Sequence, residues 1–265
     1  MQVSFQQWGN RESQQQILLI HGWGMNSGVW SDIARRLEQH YPDFLIRSVD
    51  LPGYGQSAAY NIEALGGVYT ARTLAQSLLP LFEGKQTIVI AWSLGGLVAL
   101  ELSADQRINL AQLILVSSTP RFVQDGEWQN AVEAPLFEEF CQSLAEDHQA
   151  TLKRFLAIQA LGSRTAREDI KTLQAQLFKR GEPDLWALEY GLQMLLKEDK
   201  RQQLQKITDI PISLISGKLD TLVKYQGQQQ LAEQDNISLF TLSTAGHAPF
   251  ISHPEQFTMI LQDII

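Results

Sequence analysis

Six short apolar runs recur along the chain and constrain its fold more than any other feature. They occupy residues 17–20, 44–49, 87–91, 113–116, 212–216 and 237–242. Each run is rich in Ile, Leu and Val, and segments with helical periodicity separate several of them. Nearly continuous apolar strands that alternate with helices are typical of a mostly parallel sheet that is covered on both faces. The sequence therefore predicts an α/β fold with a central sheet flanked by helices.

The alternation stops after the fourth run, and helical patterns without a convincing strand follow until residue 211. The predicted helices lie at residues 134–144, 150–161, 164–178 and 184–196, with breaks at Gly126, Gly162 and residues 181–183. We expect a core domain of residues 1–120 and 197–265 and an all-helical cap of residues 121–196. Open α/β sheets bind ligands beyond the carboxyl ends of their strands, so such a cap would cover the site.

Composition excludes several classes of protein. The 265 residues carry 29 acidic and 21 basic side chains, a formal charge of −8, whereas nucleic-acid-binding surfaces are basic. Cys141 is the only cysteine, which excludes a disulfide framework within the chain and a multi-thiolate metal site. The apolar runs are too short to cross a bilayer, and the first residues lack a signal-peptide pattern. We therefore expect a cytoplasmic monomer with no nucleic-acid or membrane partner.

Residues 87–100 predict a strand that runs directly into a helix, with Ser93 at the corner. A serine on such a turn projects its hydroxyl above the sheet, and small neighbours are needed because strand and helix approach closely. Gly95 and Gly96 supply that room. The usual pattern is Gly-x-Ser-x-Gly, and Ala91 takes the first position, which is tolerable if its φ is negative. The alternative is a serine that only caps a helix.

A serine nucleophile needs a base within hydrogen-bond reach and a third group that orients the base. Asp220 lies just past the fifth apolar run, and His247 lies just past the sixth. The order Ser, Asp, His, each in a loop after a strand, differs from the order in the chymotrypsin and subtilisin types. The sequence predicts Ser93 as nucleophile, His247 as base and Asp220 as its orienting acid.

Acyl transfer also needs donors for the oxyanion that forms on the attacked carbonyl. The backbone N–H of Leu94, at the start of a helix, and that of Trp23, in the loop after the first run, are the predicted donors. His21 is expected to brace that loop. Gly53 and Gly55 lack the third glycine of a dinucleotide site and predict a tight turn instead. No paired ligands have metal spacing, so we expect neither a cofactor nor a metal.

Together these motifs resemble the α/β-hydrolase family. The residues that carry the resemblance are 21–24, 50–57, 92–96, and the loops of Asp220 and His247. Residues 21–26, 92–99, 154–159 and 245–254 most closely resemble the pimeloyl-[acyl-carrier protein] methyl ester esterases of biotin synthesis. The resemblance implies an α/β-hydrolase fold and a serine carboxylesterase that removes methanol from a carrier-bound pimeloyl methyl ester. It also implies a substrate site lined by Trp23, Ser93, Leu94, Phe155, Leu156, Ala157, Ile158, Gln159 and His247.

Charge indicates a place for the carrier protein. Residues 150–180 hold seven basic and two acidic side chains, whereas the rest of the chain is strongly acidic. Acyl carrier proteins are generally acidic, so a basic cap would steer their docking. The expected docking residues are Arg154, Arg164, Arg167 and Lys171, the last three on one helix face. A solvated helix face without a partner is the alternative.

Fold and triad do not fix the substrate. A general short-chain carboxylesterase or thioesterase would use the same three residues. A lyase of menaquinone synthesis on the same fold would use them to abstract a proton, without an acyl-enzyme. A ligand receptor that kept the fold but lost catalysis is the remaining alternative, although an intact Ser, Asp and His disfavour it.

Overall fold

A computed structural model of the chain describes residues 2–58, 62–161, 163 and 165–265. Its seven-stranded sheet has the order β1-β3-β2-β4-β5-β6-β7. The strands are β1 (Phe5–Gly9), β2 (Gln15–Ile20), β3 (Leu45–Val49), β4 (Gln86–Trp92), β5 (Asn109–Val116), β6 (Ile212–Gly217) and β7 (Ile237–Leu242). Neighbouring strands are parallel except for the antiparallel pair β1 and β3. The prediction of an α/β fold with a mostly parallel sheet is confirmed.

Strand β1 was absent from the sequence prediction. Its five residues are all half-buried, as expected for an edge strand, so it contains no continuous apolar run. The Cζ atom of Arg47 on β3 lies 4.9 Å from the centroid of the Phe5 ring. The ring therefore covers that charged side chain. The pairing is long-range, and local periodicity does not reveal it.

Eleven α-helices lie in the described ranges, and they surround the sheet and fill the segment between β5 and β6. They are α1 (Ser31–His40), α2 (Ala71–Leu78), α3 (Leu94–Ser103), α4 (Ala134–Glu146), α5 (His148–Gln159), α6 (Ala166–Arg180), α7 (Leu185–Lys197), α8 (Arg201–Lys206), α9 (Tyr225–Leu231), α10 (Pro249–Ser252) and α11 (Pro254–Ile264). Short 3₁₀ turns occupy Ser27–Trp30, Gly55–Ser57, Ile62–Leu65 and Leu79–Leu81. No helix in the part of the chain that the structure describes is long and apolar enough to cross a membrane.

Helices α4 to α7 form a cluster that we call the helical insertion. Helix α4 packs on α5 and α7, and α5 packs on α6. All four predicted helices match within two residues at each end. Gly162, the predicted break, and Arg164, in the predicted third helix, lie outside the described residues. The division into core and cap domains stays a prediction.

The centre of the hydrophobic core lies around β2, β4, β5 and α3. Nearly every residue of β4 is buried, and α3 is buried on all sides over its first seven residues. A helix that is buried on all sides is apolar all round, which explains why this segment is a continuous apolar stretch in the sequence. The nucleophile corner is therefore set between two of the most rigidly packed elements.

Candidate active site

Ser93 occupies the sharp corner between β4 and α3. Its φ of 55° and ψ of −121° fall in a region that residues other than glycine rarely adopt. Its N–H donates to the carbonyl of Val116 at 3.0 Å, and its carbonyl accepts from the Gly96 N–H at 2.9 Å. The Ser118 hydroxyl donates to the same carbonyl at 2.7 Å. Three hydrogen bonds thus hold a backbone geometry that would otherwise relax.

The small residues predicted around the corner are required by close contacts. A Cβ atom on Gly95 would lie 2.7 Å from the carbonyl oxygen of His21, and one on Gly96 would overlap the Ser118 hydroxyl. Ala91 lies inside β4, and its φ is not positive. A methyl group at that position is therefore compatible with the corner, as the sequence prediction required.

The side chains of Ser93, His247 and Asp220 form one continuous hydrogen-bonded chain. The His247 Nε2 atom lies 2.9 Å from the Ser93 Oγ, and Nδ1 lies 2.9 Å from the Asp220 Oδ2. A carboxylate can only accept, so Nδ1 carries the proton and Nε2 is free to accept the serine proton. The other carboxylate oxygen accepts from the N–H groups of Leu222 and Val223 at 2.9 and 3.0 Å. The catalytic roles of the three residues stay predictions.

The backbone of His247 is fixed from two sides. Its N–H donates to the carbonyl of Gln159 at 3.2 Å, at the last residue of α5. Its carbonyl accepts from the indole Nε1–H of Trp92 at 2.8 Å. The imidazole is almost fully buried. Both the sheet and the helical insertion therefore determine where the imidazole lies.

Residues 21–27, which we call the Trp23 loop, run beside the nucleophile. A Cβ atom on Gly22 would lie 3.1 Å from the Ser93 Cβ. Within the described residues, the backbone N–H groups of Trp23 and Leu94 donate to no acceptor. Unpaired donors beside a nucleophile are what an oxyanion requires. The loop is thus placed as the predicted oxyanion site needs.

His21 braces this loop, as expected from the sequence. Its Nε2 accepts from the Leu51 N–H at 3.0 Å, so its proton sits on Nδ1, which donates to the Gly22 carbonyl at 2.8 Å. Burial lowers the pKa of His21 to about 4, against the opposing effect of the hydrogen bond to Gly22. The imidazole is therefore neutral near pH 7 and serves as an uncharged link between two loops.

The helical insertion contributes a wall to the site. The indole Nε1–H of Trp23 donates to the Leu188 carbonyl of α7 at 2.9 Å, and its ring meets Phe155 edge-on with centroids 4.5 Å apart. Phe155, Leu156 and Gln159 are buried, whereas Ala157 and Ile158 are half-buried. Neither side-chain amide atom of Gln159 has a hydrogen-bond partner in the described part of the chain. Of the predicted substrate residues on α5, Phe155 contacts Trp23 and Gln159 contacts His247.

A cavity of about 170 Å³ lies between α5, α6 and the start of α7. Its apolar lining includes Leu152, Leu156, Leu177 and Leu188. It borders the Trp23 loop, since a Cβ atom on Gly24 would lie 2.7 Å from the Leu152 Cδ1. The cavity therefore lies within the insertion, next to the Trp23 loop, and Ser93, Leu94 and His247 are not among its lining residues.

The turn at Gly53 and Gly55 is tight, as predicted, with φ values of 81° and 52°. The Gly53 N–H donates to the carbonyl of Ser57 at 3.2 Å and closes the turn. A Cβ atom on Gly53 would meet Trp186 of α7. Among the residues that the structure describes, no group of three or more His, Cys, Asp and Glu side chains is arranged to hold a metal ion.

The predicted docking residues differ in how free they are. Arg154 on α5 pairs with Glu139 at 2.8 Å, and its guanidinium lies 5.2 Å from the Phe140 ring centroid. Arg167 and Lys171 are exposed and lie one turn apart on α6. Arg164 lies outside the described residues. Of the three cations predicted to share one helix face, the structure therefore describes Arg167 and Lys171.

Two site residues were missed by sequence reasoning. Ser118 lies two residues after β5 and bonds the Ser93 carbonyl. Asp50 is the first residue after β3, is fully buried, and pairs with Arg180 at 2.7 Å. Both follow carboxyl ends of strands, which is the signal that could have found them. Arg180 was counted among the basic residues of the cap, but its charge is engaged inside the protein.

Comparison with known proteins places the chain in a family. The alpha/beta hydrolase family matches residues 17–259, and the chain belongs to it. It is 38% identical over 251 residues to the pimeloyl-[acyl-carrier protein] methyl ester esterase of Vibrio vulnificus strain YJ016, covering 94% of each chain. It is 39% identical over 263 residues to the protein of the same name from Aeromonas salmonicida strain A449, covering 99% of this chain and 98% of that one.

The solved structures agree on the fold. An esterase from Exiguobacterium antarcticum aligns with this chain with a TM-score of 0.85 and 21% sequence identity. The alignment covers 99% of this chain and 94% of the esterase. At that level of identity the likeness shows the α/β-hydrolase fold, which the resemblance had implied.

Proposed function

We propose that this chain is a serine carboxylesterase that hydrolyses the methyl ester of a pimeloyl chain held on an acyl carrier protein. One observation carries the proposal: Ser93, His247 and Asp220 are joined by hydrogen bonds of 2.9 Å in a nearly buried site. The substrate is supported by relatives named for this reaction, which are 38% and 39% identical over almost the whole chain.

In the first half of the reaction, the Ser93 Oγ attacks the ester carbonyl while His247 Nε2 takes its proton. The oxyanion lies between the N–H groups of Trp23 and Leu94, and these fixed donors stabilise the developing charge. His247 then protonates the departing methoxide, which leaves as methanol. The result is an acyl-enzyme on Ser93.

In the second half, His247 takes a proton from water as the water attacks the acyl-enzyme. The same two N–H groups bind the second oxyanion, and the serine oxygen leaves with the proton from His247. Asp220 holds the Nδ1–H tautomer in both halves and stabilises the imidazolium that forms. One ester and one water thus give one carboxylic acid and one methanol.

Residues 121–196 act as the cap in this proposal. Helix α5 brings Phe155 against Trp23 and the Gln159 carbonyl against the His247 N–H, so it borders both the oxyanion donors and the base. The apolar ring of Phe155 against Trp23 supports a hydrocarbon chain as the acyl group, because removing such a chain from water is favourable.

The carrier protein would dock on the outer face of the same helices. Arg167 and Lys171 are exposed, Arg154 is partly engaged by Glu139, and Arg164 completes the proposed set. Cationic side chains on an otherwise acidic protein attract an acidic partner and orient its approach. The proposed state of the protein is a monomer.

The test compares carrier-linked and free methyl esters of pimelate as substrates. We expect the purified protein to convert the carrier-linked ester to the acid, detected by mass spectrometry of the intact carrier, and Ser93→Ala to abolish conversion. The unmodified gene, but not Ser93→Ala, should restore growth of a biotin auxotroph that lacks this esterase. Hydrolysis of free esters alone would favour a general esterase, and no hydrolysis of any ester would overturn the proposal.

A further inference from the structure

Asp50 is a fully buried carboxylate that the reaction described above does not use. Its Oδ1 accepts from the Ser27 N–H at 2.7 Å, and its Oδ2 accepts from the Gln56 N–H at 3.1 Å. The same Oδ2 lies 2.7 Å from the Arg180 Nη2. A buried carboxylate is costly unless it is paired and hydrogen-bonded, and here both conditions are met.

Arg180 is the last residue of α6, and a second bond joins the same turn to the core. The Asn26 Nδ2–H donates to the Leu177 carbonyl at 3.0 Å, while its Oδ1 accepts from the Gly28 N–H at 3.0 Å. We call Asn26, Asp50, Leu177 and Arg180 the α6 latch. The latch connects the C-terminal end of α6 to the end of the Trp23 loop.

The Trp23 loop is held at both of its ends by the segment that begins at Asp50. At its start, His21 accepts from the Leu51 N–H. At its end, the Ser27 N–H donates to Asp50. Residues 21–26 form neither helix nor strand, so these bonds, together with those of Trp23 to Leu188 and Asn26 to Leu177, set where the loop lies. A shift of Asp50 would move the N–H of Trp23 relative to the serine.

We propose that Asp50 and Arg180 are positioning residues of the esterase reaction, whose ion pair fixes the Trp23 loop so that the Trp23 N–H reaches the oxyanion. The inference rests on the proposed function, because it assigns the pair a role in that reaction. Packing alone does not require a charged pair, since apolar residues of similar volume often replace buried ion pairs without loss of stability. The charged pair instead directs the Asp50 oxygens at the Ser27 and Gln56 N–H groups.

A matched control is a second ion pair that is largely buried and lies elsewhere in the core. Lys200 follows the insertion, and its Nζ lies 2.6 Å from Glu101 of α3 and 2.9 Å from Glu198. Glu198 in turn accepts from the Ala71 N–H of α2 at 2.8 Å. This cluster fastens the segment after α7 to the core, but it contacts α2 and α3 and not the Trp23 loop. Its loss should lower stability without moving the oxyanion donor.

The experiment measures kcat and KM for p-nitrophenyl butyrate, and the inhibition constant of an alkyl trifluoromethyl ketone, whose serine adduct carries an oxyanion. We expect Asp50→Asn and Arg180→Met to lower kcat roughly 10- to 100-fold, somewhat less than removal of a whole oxyanion donor. KM should change less than about twofold, and the ketone should bind more weakly by the same factor as kcat/KM falls. Arg180→Lys, which keeps the charge, should recover most of kcat.

The controls separate positioning from stability. Lys200→Met should lower the melting temperature but keep kcat, and Lys179→Met, an exposed change on the same turn of α6, should alter neither. Unchanged kcat in both latch variants, or an equal loss of kcat in Lys200→Met, would overturn the proposal. If Arg180→Met does not fold, Asp50→Asn gives the same readout, since it keeps the shape and the acceptor for Ser27.

Failure of the proposed function is visible separately, in the unmodified protein. That protein would then hydrolyse no ester, or free esters but not the carrier-linked one. The latch proposal is tested by comparing kcat between variants on a free ester that the unmodified protein hydrolyses. Since the carrier takes no part in that assay, the substrate proposal and the latch are tested independently.

Discussion

The sheet core and the helical insertion hold their parts of the site in different ways. In the core, Ser93 sits in a strained backbone between buried elements, and Gly95 and Gly96 have no room for a side chain. From the insertion, few polar bonds reach the site. Examples are the hydrogen bond from the His247 N–H to the Gln159 carbonyl and the ion pair between Arg180 and Asp50. Its outer face is exposed and partly cationic.

The difference separates chemistry from substrate choice. Close packing in the core fixes Ser93, so we expect few substitutions to be tolerated around it. The insertion can vary its wall and its surface charge without moving Ser93, as long as its few polar bonds to the core persist. Fold-level likeness therefore does not define the substrate.

Asp220→Asn tests the core side of this comparison with the largest expected effect. An amide oriented by the N–H groups of Leu222 and Val223 cannot keep the proton on Nδ1 of His247. We expect kcat for p-nitrophenyl butyrate to fall roughly 10⁴-fold with KM nearly unchanged.

Asp209→Asn makes the same chemical change at an exposed position and should leave kcat as it is. A loss of less than about tenfold in Asp220→Asn would mean that another acid orients the base.

The pH dependence of stability tests the core side of the comparison again, at His21. Burial lowers the pKa of His21 to about 4, whereas an unfolded histidine has a value near 6.5. The unfolded chain therefore binds more protons between these values, and stability falls as the pH drops through this window. Above about pH 6.5 the contribution is complete, and by pH 4 about 3 kcal/mol should be lost.

Urea unfolding at pH 7, 6, 5 and 4 measures this loss. His21→Asn should flatten the pH slope, even though it also lowers stability at pH 7 by breaking the bond to Leu51. His148→Asn, at an exposed position, should keep the slope of the unmodified protein. An equal slope in His21→Asn and the unmodified protein would show that another group is responsible.

A pair of glycine substitutions compares the core with the loop that precedes the helical insertion. Gly96→Ala places a methyl group on Ser118, and overpacking of a core of this kind costs about 1–3 kcal/mol, offset in part by better helix propensity. We expect a net loss of about 1–2 kcal/mol in the free energy of unfolding. Gly126→Ala, in an exposed loop with nothing within 4 Å, should change it by less than about 0.5 kcal/mol. Similar effects at both sites would remove the distinction between a tightly packed core and a tolerant loop outside it.

Charge reversal on α6 tests the outer face of the insertion. Arg167→Glu with Lys171→Glu should raise KM for the carrier-linked ester about fivefold, because rim charges each contribute less than about 1 kcal/mol. Free-ester hydrolysis should not change. The effect should shrink at high salt, which screens exposed charges.

Arg11→Glu with Arg35→Glu changes the net charge equally at exposed positions of the core domain and serves as the control. An equal rise in KM for both pairs would mean that net charge alone attracts the carrier. A loss on both substrates in the α6 pair would contradict docking at that face.

The triad could be predicted because its three residues each follow a recognisable apolar strand, and parallel strands end at the same edge. Ser93 was also marked by its glycine neighbours. The predicted apolar strands were found within a few residues, since continuous burial leaves a continuous apolar run. The geometry that joins His247 to both partners is a property of the folded sheet.

Other features escaped because their partners are distant or their patterns are weak. Strand β1 is half-buried along its length and pairs only with β3. Asp50 and Arg180 are 130 positions apart, and each alone reads as an ordinary surface charge. Helix α6 begins after Thr165, with Glu168 three positions later as in the usual start signal, but the helical periodicity placed its start two residues too early.

The most direct test of the whole account is a search for the acyl-enzyme. The protein is mixed with p-nitrophenyl butyrate, quenched in acid within milliseconds, digested, and analysed by mass spectrometry. We predict a burst of about one nitrophenol per protein molecule and a butyryl group on the peptide that contains Ser93, both absent in Ser93→Ala. A butyryl group on a different residue, or turnover in Ser93→Ala equal to that of the unmodified protein, would contradict the account.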